Sequence, residues 1–151
     1  MSDSLLSIRA LTDEEIADFL RSNHVGRLAY AFRGHVDIVP VHYVYHDGWL
    51  YGRTSVGPKL EMLAHSHWVA FEVDEVRESP EWTSVVVHGT FRPIDPEGSG
   101  ADRETAELAV SLLRELYPAA LTDEDLTPYR TTLFRIHVDE ATGREATLTR
   151  G

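Results

Sequence analysis

Val36-Asp-Ile-Val-Pro-Val-His-Tyr-Val-Tyr-His-Asp-Gly-Trp-Leu-Tyr-Gly-Arg-Thr54 reads as two β-strands joined by a tight turn. β-Branched and aromatic residues crowd Val36 to Tyr45, so both faces of that strand are expected to be covered. Asp47-Gly48 is the favoured pair for a type I′ hairpin, and Trp49 to Arg53 returns as the next strand. Pro40 interrupts the first of the two. Proline has no N–H for the ladder, so this strand lies at an edge, is bulged, or turns its backbone toward something other than a neighbouring strand, such as a planar ligand. An edge proline that discourages aggregation is the simpler of these readings.

Downstream, Tyr51-Gly-Arg-Thr-Ser-Val-Gly-Pro-Lys-Leu-Glu-Met-Leu63 carries a strand through a small-residue loop into a helix. Arg53 offers a guanidinium fork, Thr54 and Ser55 offer hydroxyls, Gly57 permits close approach, and Pro58 suits the first helical position. Lys59 then falls in the first turn, where free N–H groups and the helix dipole favour an anion. A phosphate fits this turn, and so does a plain strand-to-helix connection with solvated basic side chains. The glycine spacing of a Walker loop is absent.

Upstream, Thr12-Asp-Glu-Glu15 has capping-box spacing, with Leu11 and Ile16 placed as a hydrophobic staple for a helix ending near Asn23-His24. Val25 to Ala31 reads as a strand, and Arg33-Gly34 turns it into the strand from Val36. Further strands are expected at Trp68–Val76, Trp82–Phe91 and Leu133–Val138, with a turn at Thr142-Gly143-Arg144 before the tail. The segment from Asp95 to Gly100 is a loop, and Leu108, Ala109, Leu112, Leu113 and Leu116 mark the apolar stripe of a third helix that Tyr117-Pro118 stops. Thr122 to Leu126 is expected to add one helical turn. Six strands with short antiparallel connections and flanking short helices predict a mainly β, α+β fold, a closed or nearly closed six-stranded barrel.

At 151 residues the chain, 1–151, is read as one domain. A net charge of −11 argues against a nucleic-acid partner, and no apolar stretch approaches membrane-spanning length or follows a basic start. Cysteine is absent, which removes disulfides, thiolate metal sites and a cysteine nucleophile, and fits a cytoplasmic protein. The histidines show no metal-ligand spacing; His42 and His88 lie in apolar strands, as core or interface histidines do. No nucleophile elbow appears, and the acidic runs at Asp13–Glu15 and Asp123–Asp125 are explained by helix starts. No side-chain catalytic centre and no metal site emerge, which leaves an anion-sized turn beside the strand of Pro40.

Gly26-Arg-Leu-Ala29, Val39-Pro-Val-His42, Tyr51-Gly-Arg-Thr-Ser55 with Gly57-Pro-Lys-Leu60, and Trp82-x-Ser-Val85 before Gly89 occur in an order that resembles the pyridoxamine 5′-phosphate oxidase-like split-barrel flavoproteins. The resemblance runs from about residue 12 to 95, with Thr142-Gly-Arg144 a looser match. It implies a six-stranded antiparallel split β-barrel that forms a homodimer with FMN in the groove between protomers. It implies that Arg53, Thr54, Ser55 and Lys59 hold the FMN phosphate, that Val39, Pro40, Val41 and His42 line the ring, and that Trp82 and Ser84 approach the flavin from the second protomer. The implied activity is an FMN-dependent oxidoreductase exchanging hydride between flavin and a small-molecule substrate. A deazaflavin-dependent reductase on the same fold and a non-catalytic flavin- or haem-binding module are the alternatives. Two departures stand out: Pro58 occupies a place where many relatives put a second basic residue, and the Arg- and Trp-rich C-terminal substrate segment of pyridoxamine phosphate oxidases is not found before Gly151. Pyridoxal phosphate synthesis is therefore not expected.

Overall fold

A computed structural model describes residues 4–55, 57–65 and 67–150, with the backbone alone for Pro58, Lys59, Ala64, His65 and Arg150. The chain runs β1 (Ser4–Ala10), α1 (Asp13–Ser22), β2 (Val25–Phe32), β3 (His35–His42), β4 (Val44–His46), β5 (Trp49–Thr54), α2 (Pro58–His65), β6 (Trp68–Val76), β7 (Trp82–Ile94), α3 (Ala101–Leu116) and β8 (Thr132–Arg150). All strand pairs are antiparallel, in the order β3-β2-β6-β7-β8-β5-β4, with β1 added along the far end of β8.

β3 and β4 lie at opposite ends of this order, yet only Tyr43 separates them in sequence. The sheet therefore curls until its two ends meet at one residue without pairing, which is the split of a split barrel. Tyr43 pins that seam: its N–H donates to His24 O (2.9 Å), its hydroxyl donates to Leu20 O (2.7 Å), and its ring meets Phe71 edge-on. Burial pushes the Tyr43 hydroxyl well above the usual tyrosine range, so it stays a neutral donor.

The antiparallel, unclosed, mainly β architecture with helices outside is the expected one, with eight strands among the described residues where six were expected. The apolar run Val36–Tyr45 breaks in two at the seam, and its first half is not covered on both faces: Val36 and Ile38 are 80% and 59% exposed on edge strand β3. Pro40 sits on that edge, where its missing N–H leaves no ladder bond unmade. The expected turn at Thr142–Arg144 is instead continuous strand, with Thr142, Gly143 and Arg144 opposite Val86, Val85 and Ser84. Gly143 is needed because a Cβ there would lie 2.8 Å from Leu11 Cδ1 and 3.0 Å from Ile16 Cγ1, the staple pair of α1. β1, not anticipated, follows from this long β8, which offers it a free edge.

The expected local signals hold. Thr12 and Glu15 form a reciprocal capping box, and Arg33-Gly34 and Asp47-Gly48 all have positive φ, as I′ hairpins require. One apolar cluster fills the barrel, including Leu28, Phe71, Val73, Val85, Val87, Phe134 and Ile136. A second forms where α3 lays Ala106, Ala109, Leu112 and Leu113 on the outer face of β4, β5 and β8 at Val44, Tyr51 and Leu133. β5 is thus covered on both faces, Leu50 belonging to the first cluster and Tyr51 to the second. No helix among the described residues is long and apolar enough to cross a membrane.

Candidate functional site

The barrel core is not sealed at the seam. A cavity of about 600 Å³ opens between the end of β3, the end of β5 and the segment that follows α3. Its floor is apolar, made by Leu28, Val41, Leu63, Phe91 and Phe134. Pro40, Val41 and His42 line one side, and Arg53, Thr54 and Ser55 another, so the two sequence stretches singled out above face one space. The cavity lies where β3 stops at the seam and where β5 ends at Thr54, with Ser55 leading on toward α2, and Gly52 lets the Phe134 ring of its floor pack against bare backbone, Cζ being 2.5 Å from where a Cβ would stand.

The other expected site residues lie elsewhere. Val39 packs against the barrel core and does not line the cavity. Along β7, Thr83, Val85 and Val87 are buried inward, so Trp82 and Ser84 take the opposite, outward parity. The Ser84 hydroxyl donates to Glu72 (3.1 Å), a carboxyl raised above its usual range by burial and by Asp74 beside it, and Arg27 pairs with both acids. Within one chain these two residues do not meet the cavity. The Lys59 and Pro58 side chains lie outside the described residues, although their backbone opens α2 as expected.

The third wall was not legible in the sequence. Thr122–Leu126 is not a helical turn but part of a run of three-residue-spaced turns, with Ala120 N–H to Tyr117 O, Thr122 N–H to Ala119 O, Asp125 N–H to Thr122 O and Arg130 N–H to Thr127 O at 3.0 to 3.1 Å. Leu126, Thr127, Tyr129 and Arg130 from this segment line the cavity with Leu113, Leu116, Tyr117 and Ala120. Asp125, read above as helix capping, is buried and pairs with Arg53. Arg53 Nη1 and Nη2 both donate to its carboxylate, and Nη2 also donates to Thr127 Oγ1 (3.0 Å). Asp125 accepts further bonds from the N–H groups of Leu121 (2.9 Å) and Thr127 (3.0 Å). The guanidinium first, and these N–H donors with it, hold the carboxyl well below the usual aspartate range. The one signal in the sequence for this was the Asp-x-Thr spacing of an Asx turn, which Asp125 and Thr127 form.

His42, on the rim, is lowered from its ordinary 6.5 by burial and by the cations Arg130 and Arg53, with His24 adding to them. Neutral imidazole is therefore its form at neutral pH, able to accept or donate one hydrogen bond toward the cavity.

The model of the pyridoxamine 5′-phosphate oxidase family matches residues 12–145, nearly the whole barrel. The chain belongs to that family. An FAD-binding protein from Mesorhizobium loti is 30% identical over 94% of this chain and 98% of its own, with a TM-score of 0.76. An FAD-binding protein from Mycobacterium smegmatis is 24% identical over 92% of this chain and 100% of its own (TM-score 0.64). An FAD- and haem-binding protein from the same organism is 21% identical over 89% and 71% (TM-score 0.66). At those identities the last two show the shared fold alone. No curated protein matches the sequence.

Proposed function

We propose that this member of the pyridoxamine 5′-phosphate oxidase family is an oxidoreductase that binds a flavin through its FMN portion in the cavity at the barrel seam. The observation that carries the reading is the cavity itself: about 600 Å³, within the range that small-molecule sites occupy, apolar at its floor and polar where β5 runs into α2. The M. loti relative is FAD-binding, and FAD contains the same FMN portion.

The residues fit the group. Pro40, Val41 and His42 offer strand backbone and a neutral imidazole along a planar ring, over the apolar floor. The Thr54 and Ser55 hydroxyls and the opening turn of α2, with Lys59, offer donors to a phosphate. Arg53 sets the position of this end, and its Nε–H and second Nη1–H are donors that no bond to Asp125 or Thr127 uses. A bound flavin supplies hydride transfer to or from a small substrate. The protein's part is to bind, orient and exclude water, and no side-chain acid or base is assigned.

A homodimer belongs to the same proposal. Val36, Ile38 and Trp68 expose apolar side chains at the β3 edge and on β6, and Trp82 and Ser84 reach a cavity only if it is the one in a second copy. Val39 then acts by seating its own strand, the ring-lining β3, on the barrel core.

The test is to purify the protein, record its visible spectrum, and identify any released chromophore by chromatography. FMN, one per chain, is expected. Released FAD would keep the flavin reading and correct the nucleotide, whereas a Soret band, a deazaflavin, or a colourless protein that takes up neither FMN nor FAD would overturn it.

A further inference from the structure

Arg53 looked from the sequence like the charge that meets a phosphate, but its fork is largely occupied. The Asp125 side chain is only 1% exposed and is held by Arg53, Thr127 and the Leu121 N–H together. Withdrawing that carboxylate would strand a largely covered guanidinium, and withdrawing Arg53 would strand a buried carboxylate; either is costly. The pair therefore persists as a nearly neutral unit, and a dianion in the cavity gains little net charge from it. The protein's overall charge of −11 makes the shortfall worse, since the background field repels a phosphate.

A second arginine lines the same cavity. Arg130 is exposed, and among the described residues it has no carboxylate partner; its guanidinium lies over the Tyr129 ring, 6.0 Å from the centroid. Its place is fixed through the ion pair. The Arg130 N–H donates to Thr127 O (3.0 Å), and Thr127 Oγ1 accepts from Arg53 Nη2 (3.0 Å), so one short turn links the two arginines. That turn, bonded to Arg53, brings the Arg130 backbone to the end of the cavity where Arg53, Thr54 and Ser55 gather.

We propose that Arg130 is the anion-recognising residue of this cavity, carried to its mouth by a turn that the Arg53–Asp125 pair staples to the sheet, and that the group it meets is the flavin phosphate. This rests on the flavin reading for the identity of the ligand, but not for the anion site. The guanidinium plane offers two parallel N–H donors to phosphate oxygens, a geometry that an ammonium does not reproduce. Arg53 is then a positioning residue, and Arg130 a binding one.

The experiment compares wild type, Arg130→Ala and Arg130→Lys in two arms, with thermal melts to check that all three fold. In the first arm, quenching of flavin fluorescence measures affinity for FMN and for riboflavin, which has the same ring and no phosphate. Arg130→Ala is expected to weaken FMN by about tenfold or more and to leave riboflavin within about twofold, with Arg130→Lys between. An unchanged FMN affinity, or equal losses for FMN and riboflavin, would overturn the proposal. In the second arm, inorganic phosphate is titrated while the His42 imidazole is followed by NMR across pH. Bound phosphate should raise the His42 pKa in wild type and not in Arg130→Ala. If neither flavin binds wild type, the flavin reading fails and this arm alone decides. A phosphate effect lost in Arg130→Ala then keeps Arg130 as an anion site, and no effect in wild type rejects it.

Discussion

The β6–β7–β8 wall and the seam are built from the same kinds of residues to opposite ends. In the wall every strand is paired on both sides, and Val73, Val85, Val87 and Ile136 have no exposed surface at all. At the seam β3 and β4 stop short of each other, the apolar floor stays open to a cavity, and a segment without helix or strand covers the gap by way of one ion pair. Continuous ladders exclude ligands; an interrupted one, closed by a polar clip, leaves room for them. The contrast assigns stability to the wall and binding to the seam.

The sharpest way to break that division is to damage the wall. Ile136→Ala should cost about 3–4 kcal/mol in a denaturant titration, because the surrounding strands cannot collapse into the space. A cost under about 1 kcal/mol would mean that the wall is as yielding as the seam. At the clip, Asp125→Ala should lower the melting temperature by roughly 10 °C through the stranded Arg53, and should expose the amides of residues 117–130 to hydrogen exchange while those of β7 stay protected. Equal deprotection of β7 would show that the two regions are one cooperative unit.

A smaller effect follows from His42. Its folded pKa lies below 6.5, so the unfolded chain binds the proton more readily. Its contribution is fully present above 6.5 and is lost as pH falls through the folded value. The stability of wild type should therefore decline over that interval more steeply than that of His42→Gln, as read by melts at a series of pH values; parallel curves would remove His42 from the electrostatics of the rim. The smallest effect is expected at Leu126, which is 82% exposed on the covering segment: Leu126→Ala should stay within about 0.5 kcal/mol of wild type. A larger loss would mean that the segment packs more firmly than its exposure implies.

Most of the wall was legible in the sequence because period-two alternation in Trp68–Val76 and Trp82–Phe91 reports directly on which side chains face in. The capping box at Thr12 and the Asp47-Gly48 turn were legible for a similar reason, since each is a local motif with its own geometry. The seam was half legible. Pro40 announced an edge strand, but an unbroken apolar run gives no sign that the chain changes ends of the sheet at Tyr43. β1 and the end of β8 were missed because they are mostly exposed, and exposed strands carry no burial pattern. Asp125 was misread because an acidic run beside a short apolar stretch looks like a helix start; its real partner, Arg53, lies 72 residues away and only the fold brings them together. Arg130 carried no local signal at all.

Flavin uptake mapped by hydrogen exchange tests the account most directly. Titrating FMN into the wild-type protein should give one site per chain, with new protection at Val41 and His42, at Ser55 and across residues 117–130. Failure to bind, or protection confined to the β6–β7–β8 wall, would contradict the assignment of the seam cavity as the flavin site.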